Sequence, residues 1–201
     1  WVDQAASMSF RSDDNLPTKA ARARTLGLAS AVLLIRGGER VGLTGLRLPP
    51  RRGEAQLMKM AQLLSQTDEA DYGAPEAQGM LPHSRALFIS DFLGDLKPIE
   101  DAMLKAADRG VRGALLQVLD PQEEAFPFDG RTIFESMSGT LRHETLKASD
   151  LKTRYLDRLA ARKDRLQHLA RTTGWQFQTH HTGQSATNAL LWLYGALERH
   201  A

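Results

Sequence analysis

Carboxylates and hydroxyls follow two apolar segments of this sequence in a pattern that is typical of a cation site. Near the start, the apolar pair Trp1-Val2 leads directly into Asp3, and Ser7 follows among small and hydroxyl residues. Much further along, a second apolar run ends at Asp91. Both patterns predict a buried strand that opens into a polar loop, where α/β folds place their ligands. If the two strands are parallel neighbours, these side chains meet in one crevice and offer the oxygen ligands that Mg²⁺ prefers.

The same residues resemble those of a known family. The spacing Asp3-x-Ala5-x-Ser7 is similar to the Asp-x-Ser-x-Ser metal-site loop of von Willebrand factor A-type domains, and Ser90-Asp91-Phe92 resembles their second acidic loop. The match is narrower for a bacterial family of von Willebrand A-like proteins of unassigned biochemistry, often encoded beside MoxR-type AAA+ ATPases. Three further segments extend the resemblance over nearly the whole chain: Gly37-Gly38-Glu39-Arg40-Val41-Gly42-Leu43, Leu119-Asp120-Pro121-Gln122-Glu123-Glu124 and Gly174-Trp175.

This resemblance implies a degenerate metal-ion-dependent adhesion site with Asp3, Ser7 and Asp91 as its metal ligands. Ala5 stands where the family has a serine ligand, and no threonine occupies residues 49–58, where a third hydroxyl ligand is expected. Because water would have to replace the lost hydroxyls in the six-oxygen shell of Mg²⁺, we expect Mg²⁺ to bind weakly or not at all. The alternative is that Asp3 caps nearby backbone N–H groups, a common role of aspartate in such loops.

The resemblance also implies a function. It favours a non-enzymatic protein-interaction module that works with a MoxR-type AAA+ ATPase in the assembly or maturation of other proteins. An enzymatic alternative stays open, because Asp3-x-Ala5 is similar to the nucleophile loop of Mg²⁺-dependent phosphohydrolases. Those enzymes need a second acid two residues after the nucleophile to handle the leaving-group proton, and Ala5 stands there. The sequence has no Gly-rich Lys loop, no Gly-x-Ser-x-Gly elbow and no His-Glu-x-x-His.

Composition favours one cytoplasmic domain over residues 1–201. The chain is 42% hydrophobic, enough for a sizeable core, and it has no cysteine, so nothing demands an oxidising compartment. Its longest apolar run, residues 26–35, is well short of the roughly 20 residues that a membrane-spanning helix needs. Because the chain begins without Met, in what the pattern indicates is the end of a strand, we expect further sequence upstream of Trp1.

The net charge of +2 is unevenly distributed. Residues 1–53 hold nine Lys/Arg against four Asp/Glu, residues 54–141 hold seven against fifteen, and residues 142–171 hold nine against four. Such a patchwork suits electrostatic steering of a protein partner, although a solvated surface without a partner has the same pattern. Nucleic-acid binding would need a basic face with interleaved aromatics, and the basic stretch 142–171 holds one aromatic, Tyr155. We therefore expect a protein partner and no nucleic acid.

Apolar periodicity predicts a chain in which strands alternate with helices. The predicted helices cover residues 18–36, with Thr18 as the N-cap, then 54–65, 97–109, 146–173 and 186–199. The predicted strands end at Asp3 and Asp91 or cover residues 40–48, 111–119 and 175–179. This alternation predicts a doubly wound, mainly parallel sheet with helices on both faces, von Willebrand A-like or Rossmann-like. The resemblance implies strand order 3-2-1-4-5-6, which places the first strand beside the strand ending at Asp91.

Two regions depart from this rhythm. Residues 66–84 are predicted to form a long loop, and residues 121–141 a β-hairpin excursion around the turn signal Asp129-Gly130. The acidic stretch 120–124 is predicted to be a solvated turn, with docking as the alternative. The pair His180-His181 follows the last predicted strand and is expected to lie in a loop without a role, because adjacent histidines in extended backbone point apart.

Overall fold

The computed structural model describes residues 1–66, 68, 70–76, 78–128, 132–135, 142–145 and 148–198. The helices are α1 (Lys19–Arg36), α2 (Glu54–Leu64), α3 (Lys97–Asp108), α4 (Pro121–Ala125), α5 (Ala148–Thr173) and α6 (Ala186–Glu198). The strands are β1 (Val41–Leu43), β2 (Leu48–Arg51), β3 (Arg85–Ser90), β4 (Arg112–Leu119), β5 (Thr132–Glu135), β6 (Arg142–Thr145) and β7 (Gln176–His181). A short 3-10 helix spans Ala6–Ser9.

The central sheet is parallel and has the strand order β3-β4-β7. The opening segment extends it beside β3, because Val2 forms a parallel bridge with Ile89. The N–H of Ile89 donates to the carbonyl of Trp1 over 3.1 Å, and the N–H of Asp3 donates to the carbonyl of Ile89 over 2.9 Å. The predicted adjacency of these two strand ends is therefore confirmed. In the part of the chain that the structure describes, the parallel sheet has three strands, and the doubly wound six-strand order stays a prediction.

Two apolar cores cover opposite faces of the sheet, because side chains alternate in direction along each strand. On one face Ile89, Leu116 and Val118 pack with residues of α1, α2 and α6. On the other face Phe88 and Leu115 pack with residues of α3 and α5. Burial on both faces explains why β3 and β4 have nearly continuous apolar sequences. The predicted placement of helices on both faces is confirmed for these elements.

The single strand predicted over residues 40–48 is wrong. The chain instead folds there as an antiparallel hairpin of β1 and β2. Gly45 and Arg47, between the strands, have φ angles of 78° and 51°, a left-handed backbone that ends a strand. Pro49 and Pro50, two consecutive prolines of a kind that usually ends a strand, lie inside β2. Their missing N–H groups are tolerated because β2 pairs with one strand only in the described residues.

The excursion predicted over residues 121–141 is partly different. It begins with the short helix α4, which Asp120 and Glu123 initiate through reciprocal side-chain to backbone hydrogen bonds. A hairpin does follow, formed by β5 and β6, but both of its strands come after the predicted turn. The predicted turn Asp129-Gly130 lies outside the described residues.

The five predicted helices are confirmed to within two residues over their described parts. The predicted cap of α1 is also confirmed, because Thr18 Oγ1 accepts a hydrogen bond of 3.0 Å from the N–H of Ala21. No helix among the described residues is both long enough and apolar enough to cross a membrane.

Candidate functional site

Asp3 is fixed by groups from two segments at the carboxyl edge of the sheet. Its Oδ1 accepts a hydrogen bond of 2.9 Å from the N–H of Ala5, and its Oδ2 accepts one of 2.6 Å from Ser90 Oγ. Gly73 packs on the carboxylate so closely that a Cβ there would lie 2.2 Å from Oδ1. Burial raises the pKa of Asp3, against the hydrogen bonds from Ser90 and Ala5. The capping role that the sequence left open for Asp3 is therefore present.

Asp91 pairs with a buried lysine that the sequence analysis missed. Lys19 Nζ lies 2.8 Å from Asp91 Oδ2 and 2.6 Å from Glu123 Oε1. The side chains of Lys19 and Asp91 are each 1% exposed. Burial lowers the pKa of Lys19, but the two carboxylates outweigh that effect and raise it above its ordinary value. The ammonium is therefore charged at neutral pH, and its positive charge faces two carboxylates.

Asp91, directly after β3, is held at four points by residues of different segments. Its Oδ1 accepts a hydrogen bond of 3.0 Å from the N–H of Leu93, and its carbonyl accepts one of 2.9 Å from Gln117 Nε2. Its own N–H points at Met8 Sδ, 3.3 Å away. The fourth contact is the ion pair with Lys19. Asp91 therefore has one donor on each carboxylate oxygen.

Lys19 is the first residue of α1, and two contacts set where its side chain starts. Its N–H donates to the carbonyl of Phe10 over 3.2 Å, and the preceding residue Thr18 caps the helix. The ring centroid of Phe10 lies 5.7 Å from the ammonium nitrogen, within cation–π range. The first turn of α1 contains no acidic residue that could offset a cation at a helix N-terminus. The carboxylates that compensate Lys19 thus come from elsewhere in the chain.

Glu123 reaches Lys19 because it closes the N-terminus of α4. Its Oε2 accepts a hydrogen bond of 2.8 Å from the N–H of Asp120, which leaves Oε1 for the ammonium. Asp120 in turn accepts 2.9 Å hydrogen bonds from the N–H groups of Gln122 and Ser12 and is fully buried. The prediction that residues 120–124 form a solvated turn is therefore wrong. The spacing of Asp120 and Glu123 around Pro121 is a capping-box signal that the sequence analysis could have used.

Ser7 is the third predicted ligand, and its hydroxyl has a different environment. Its N–H donates to the carbonyl of Asp71 over 3.0 Å, which holds the 3-10 helix against the loop after α2. Ser7 Oγ is buried and has no hydrogen-bond partner among the described residues. The structure brings Asp3 and Asp91 together at this edge of the sheet. They are close enough for the charge of Asp91 to raise the pKa of Asp3. Ser7 Oγ forms no hydrogen bond with either carboxylate.

As arranged, these groups do not fit a divalent cation. The oxygens of Asp3 and Asp91 each accept a hydrogen bond within the protein, and Ala5 supplies no side-chain oxygen. The ammonium of Lys19 would also repel a second cation placed beside Asp91. Across the described ranges, no three His, Cys, Asp or Glu side chains converge on a possible metal position. Ser7 Oγ is the one predicted ligand atom without a hydrogen-bond partner among the described residues.

The two adjacent histidines end β7 instead of lying in a loop, which corrects the prediction. His180 is 2% exposed, and its Nε2 lies 2.9 Å from Arg22 Nη1. Burial lowers the pKa of His180 to about 4. His181 points to the opposite side of the strand, where its Nε2 contacts Glu124, and Glu124 also pairs with Lys163. Each histidine therefore has a partner.

The fold and the site together define a class: an α/β protein with a parallel sheet and a buried network of carboxylates around one lysine at its carboxyl edge. The chain belongs to the family described as "Protein of unknown function DUF58", whose model matches residues 1–165. No curated protein matches the chain.

Two solved structures share the fold at low sequence identity. An aerotolerance-related membrane protein from Bacteroides fragilis, crystallised with multiple mutations to serines, is 14% identical, with a TM-score of 0.53 over 96% of this chain and 94% of that one. The conserved hypothetical protein BatB from Bacteroides thetaiotaomicron is 12% identical, with a TM-score of 0.52 over the same shares of both chains. At these identities the likeness concerns the fold alone.

Proposed function

We propose that this chain is a non-enzymatic protein-interaction module of von Willebrand A type, which binds its partner through the loops at the carboxyl edge of the sheet. The observation that carries the proposal is the contrast between the centre and the rim of this edge. At the centre lie three charged residues, Asp3, Asp91 and Lys19, which are 1–3% exposed. They form hydrogen bonds or ion pairs with one another or with neighbouring groups. Chemistry on a small substrate would need at least one of these groups to be accessible.

The rim, in contrast, presents accessible side chains on several loops. Tyr72 is 46% exposed, and it packs on Gly94, where a Cβ would lie 2.6 Å from the tyrosine Cβ. Arg162 of α5 donates to the carbonyls of Phe92 and Gly94 over 2.7 and 2.5 Å. It therefore holds the loop after β3 in place. An exposed aromatic residue that packs on such an anchored loop is a common feature of binding surfaces.

Exposed carboxylates on the loops of this edge suggest the charge of the partner. The exposed acids on the loops of this edge are Asp13, Asp14, Asp68 and Asp95. Arg11, which pairs with Asp14 over 2.7 Å, lies on the same loop as two of them. We therefore infer a partner surface that carries Lys and Arg, which such a rim would steer into contact.

The partner that we propose is a MoxR-type AAA+ ATPase, with which the module takes part in the assembly or maturation of other proteins. The support for this partner is the family resemblance of the site loops and of residues 37–43, 119–124 and 174–175. A cytoplasmic location is part of the same proposal, because such a partner needs the ATP that this compartment supplies.

The test is an association measurement between the full-length protein and a MoxR-type ATPase of the same organism. Asp95→Asn removes a rim charge at the start of α3, whereas Asp108→Asn removes an exposed charge at the other end of the same helix. We expect Asp95→Asn to slow association and weaken its salt dependence, and Asp108→Asn to leave both unchanged. Absence of any complex, and no effect on ATP turnover, would exclude this partner.

The phosphohydrolase alternative has weaker support in the geometry. Both oxygens of Asp3 accept hydrogen bonds, the residue is 3% exposed, and Ala5 supplies no acid for the leaving group. It is nevertheless simple to test with a generic aryl phosphate in the presence of Mg²⁺. Turnover that Asp3→Asn abolishes would replace the binding proposal with an enzymatic one.

A further inference from the structure

We infer that the ammonium of Lys19 takes the place of a bound divalent cation at the carboxyl edge of the sheet, so that the site works without a metal ion. This inference concerns the site itself and does not depend on which partner the module binds. It rests on the position of Lys19 between Asp91 and Glu123, on the burial of Lys19 and Asp91, and on the hydrogen bonds that fix Asp3.

The carboxylates of Asp91 and Glu123 converge on the ammonium of Lys19. A single Nζ atom lies 2.8 Å from Asp91 Oδ2 and 2.6 Å from Glu123 Oε1. These are the lengths of charge-assisted hydrogen bonds, and two carboxylates from different parts of the chain converge on the one nitrogen. Convergence of carboxylates from separate segments on one point is how a divalent cation is normally held in proteins. Here the point is occupied by a side chain.

The ammonium of Lys19 is enclosed by the side chains around it. Lys19 and Asp91 are each 1% exposed, and the side chain of Glu123 is 13% exposed. The ring of Phe10 covers the ammonium, with its centroid 5.7 Å from Nζ. A hydrated Mg²⁺ ion keeps several waters and needs an open cavity for them. To enter here, the ion would first have to displace the ammonium from both carboxylates.

Asp3, the other carboxylate of this edge, is held by different partners. One hydrogen bond on each oxygen, from Ser90 Oγ and from the N–H of Ala5, fixes the Asp3 carboxylate in place. Asp3 could move toward a cation beside Asp91 only by losing those bonds. Because Lys19 is part of the chain, its charge is present at any concentration of Mg²⁺ or chelator. The structure of the loops at this edge is then independent of metal supply.

The experiment uses Mn²⁺ as a paramagnetic probe and the methionine methyl groups as local reporters. Met8 Sδ lies 3.3 Å from the N–H of Asp91, whereas Met58 is 66% exposed on α2. Mn²⁺ bound at the site would broaden the NMR signal of the Met8 methyl group. We expect Mn²⁺ at about 1 mM, the range of weak hard-cation sites, to leave the Met8 signal of the wild-type protein unchanged.

Lys19→Ala removes the ammonium and leaves two buried carboxylates facing a space. We expect this variant to have a lower Tm, to recover part of the loss on addition of Mn²⁺, and to show selective broadening of Met8. Lys97→Ala, which breaks the exposed ion pair with Asp101, is the matched control and should show no Mn²⁺-dependent change in Tm.

Two outcomes would overturn the inference. The first is selective broadening of Met8 by Mn²⁺ in the wild-type protein, since the site would then bind a metal in the presence of Lys19. The second is a folded Lys19→Ala protein whose Tm and Met8 signal do not respond to Mn²⁺. If Lys19→Ala does not fold, the wild-type titration decides alone, with Met58 reporting nonspecific surface binding.

Discussion

Two clusters in this protein use similar charged residues in different environments. The inner cluster consists of Lys19, Asp91 and Glu123, whose side chains are 1, 1 and 13% exposed. The outer cluster consists of Lys163, Glu124 and His181, with side chains 24, 34 and 22% exposed. Glu123 and Glu124 are adjacent in the sequence but belong to different clusters. The comparison teaches that burial, more than residue type, decides how much the fold depends on each ion pair.

The largest difference in stability is expected between variants of the two lysines, Lys19 and Lys163. Lys19→Met keeps most of the side-chain volume but leaves Asp91 and Glu123 buried without a cation. We expect the free energy of unfolding to fall by about 3–5 kcal/mol, the usual cost of breaking a buried ion pair. Lys163→Met removes a partly exposed cation and should cost at most about 1 kcal/mol. Urea denaturation of both variants and the wild type, at pH 7 and moderate salt, measures the two values.

Equal losses for the two lysine variants would contradict the comparison. So would a Lys19→Met protein as stable as the wild type, because the buried carboxylates would then not depend on the ammonium.

The inner cluster also shows what the sequence could and could not predict. The strand ends at Asp3 and Asp91 were predictable, because an apolar run followed by an acid is a local pattern. Lys19 was missed because its partners are 72 and 104 residues away. One signal was present: a lysine at the positive end of a helix, directly after the Thr18 cap and without an acid in the first turn, is unfavourable by itself. Such a residue indicates that a distant carboxylate compensates it.

The hairpin of β1 and β2 was missed for a different reason. The segment is apolar with two consecutive prolines, and the same pattern fits a strand followed by a breaker. Only the left-handed backbone at Gly45 and Arg47 separates the two short strands, and an arginine gives no local indication of a positive φ angle. Turn positions that a non-glycine residue occupies are the hardest to predict from sequence.

The second comparison is between the adjacent glutamates. Glu123→Gln keeps an amide oxygen for the N–H of Asp120 but removes one negative charge from Lys19. We expect a loss of about 1.5–3 kcal/mol in the free energy of unfolding, as for a hydrogen bond to a charged group. Glu124→Gln weakens partly exposed contacts to Lys163 and His181 and should cost at most about 1 kcal/mol. Urea denaturation compares the two variants directly, and a larger loss for Glu124→Gln would reverse the assignment of inner and outer clusters.

The smallest expected difference in stability is between variants of the adjacent histidines, His180 and His181, and it depends on pH. The pKa of His180 is lowered to about 4, from an ordinary value of 6.5, first by burial and then by the charge of Arg22. Between these two values the unfolded chain binds a proton that the folded protein excludes. The contribution of His180 to stability is therefore fully present above pH 6.5 and is lost as the pH falls toward 4. Burial also lowers the pKa of His181, but the nearby acids Glu123 and Asp120 oppose this effect.

An NMR titration of the imidazole signals tests this prediction at each residue. We expect the ring of His180 to stay neutral down to a pH of about 4. Stability measurements at pH 7 and pH 5 need a matched variant, because the raised pKa values of Asp3 and Glu123 change stability in the opposite direction over an acidic range. His180→Gln should reduce the loss of stability between pH 7 and pH 5 more than His181→Gln does. A His180 signal that titrates near 6.5 would show that the inner face of β7 is open to water, and the distinction between the two faces would then fail.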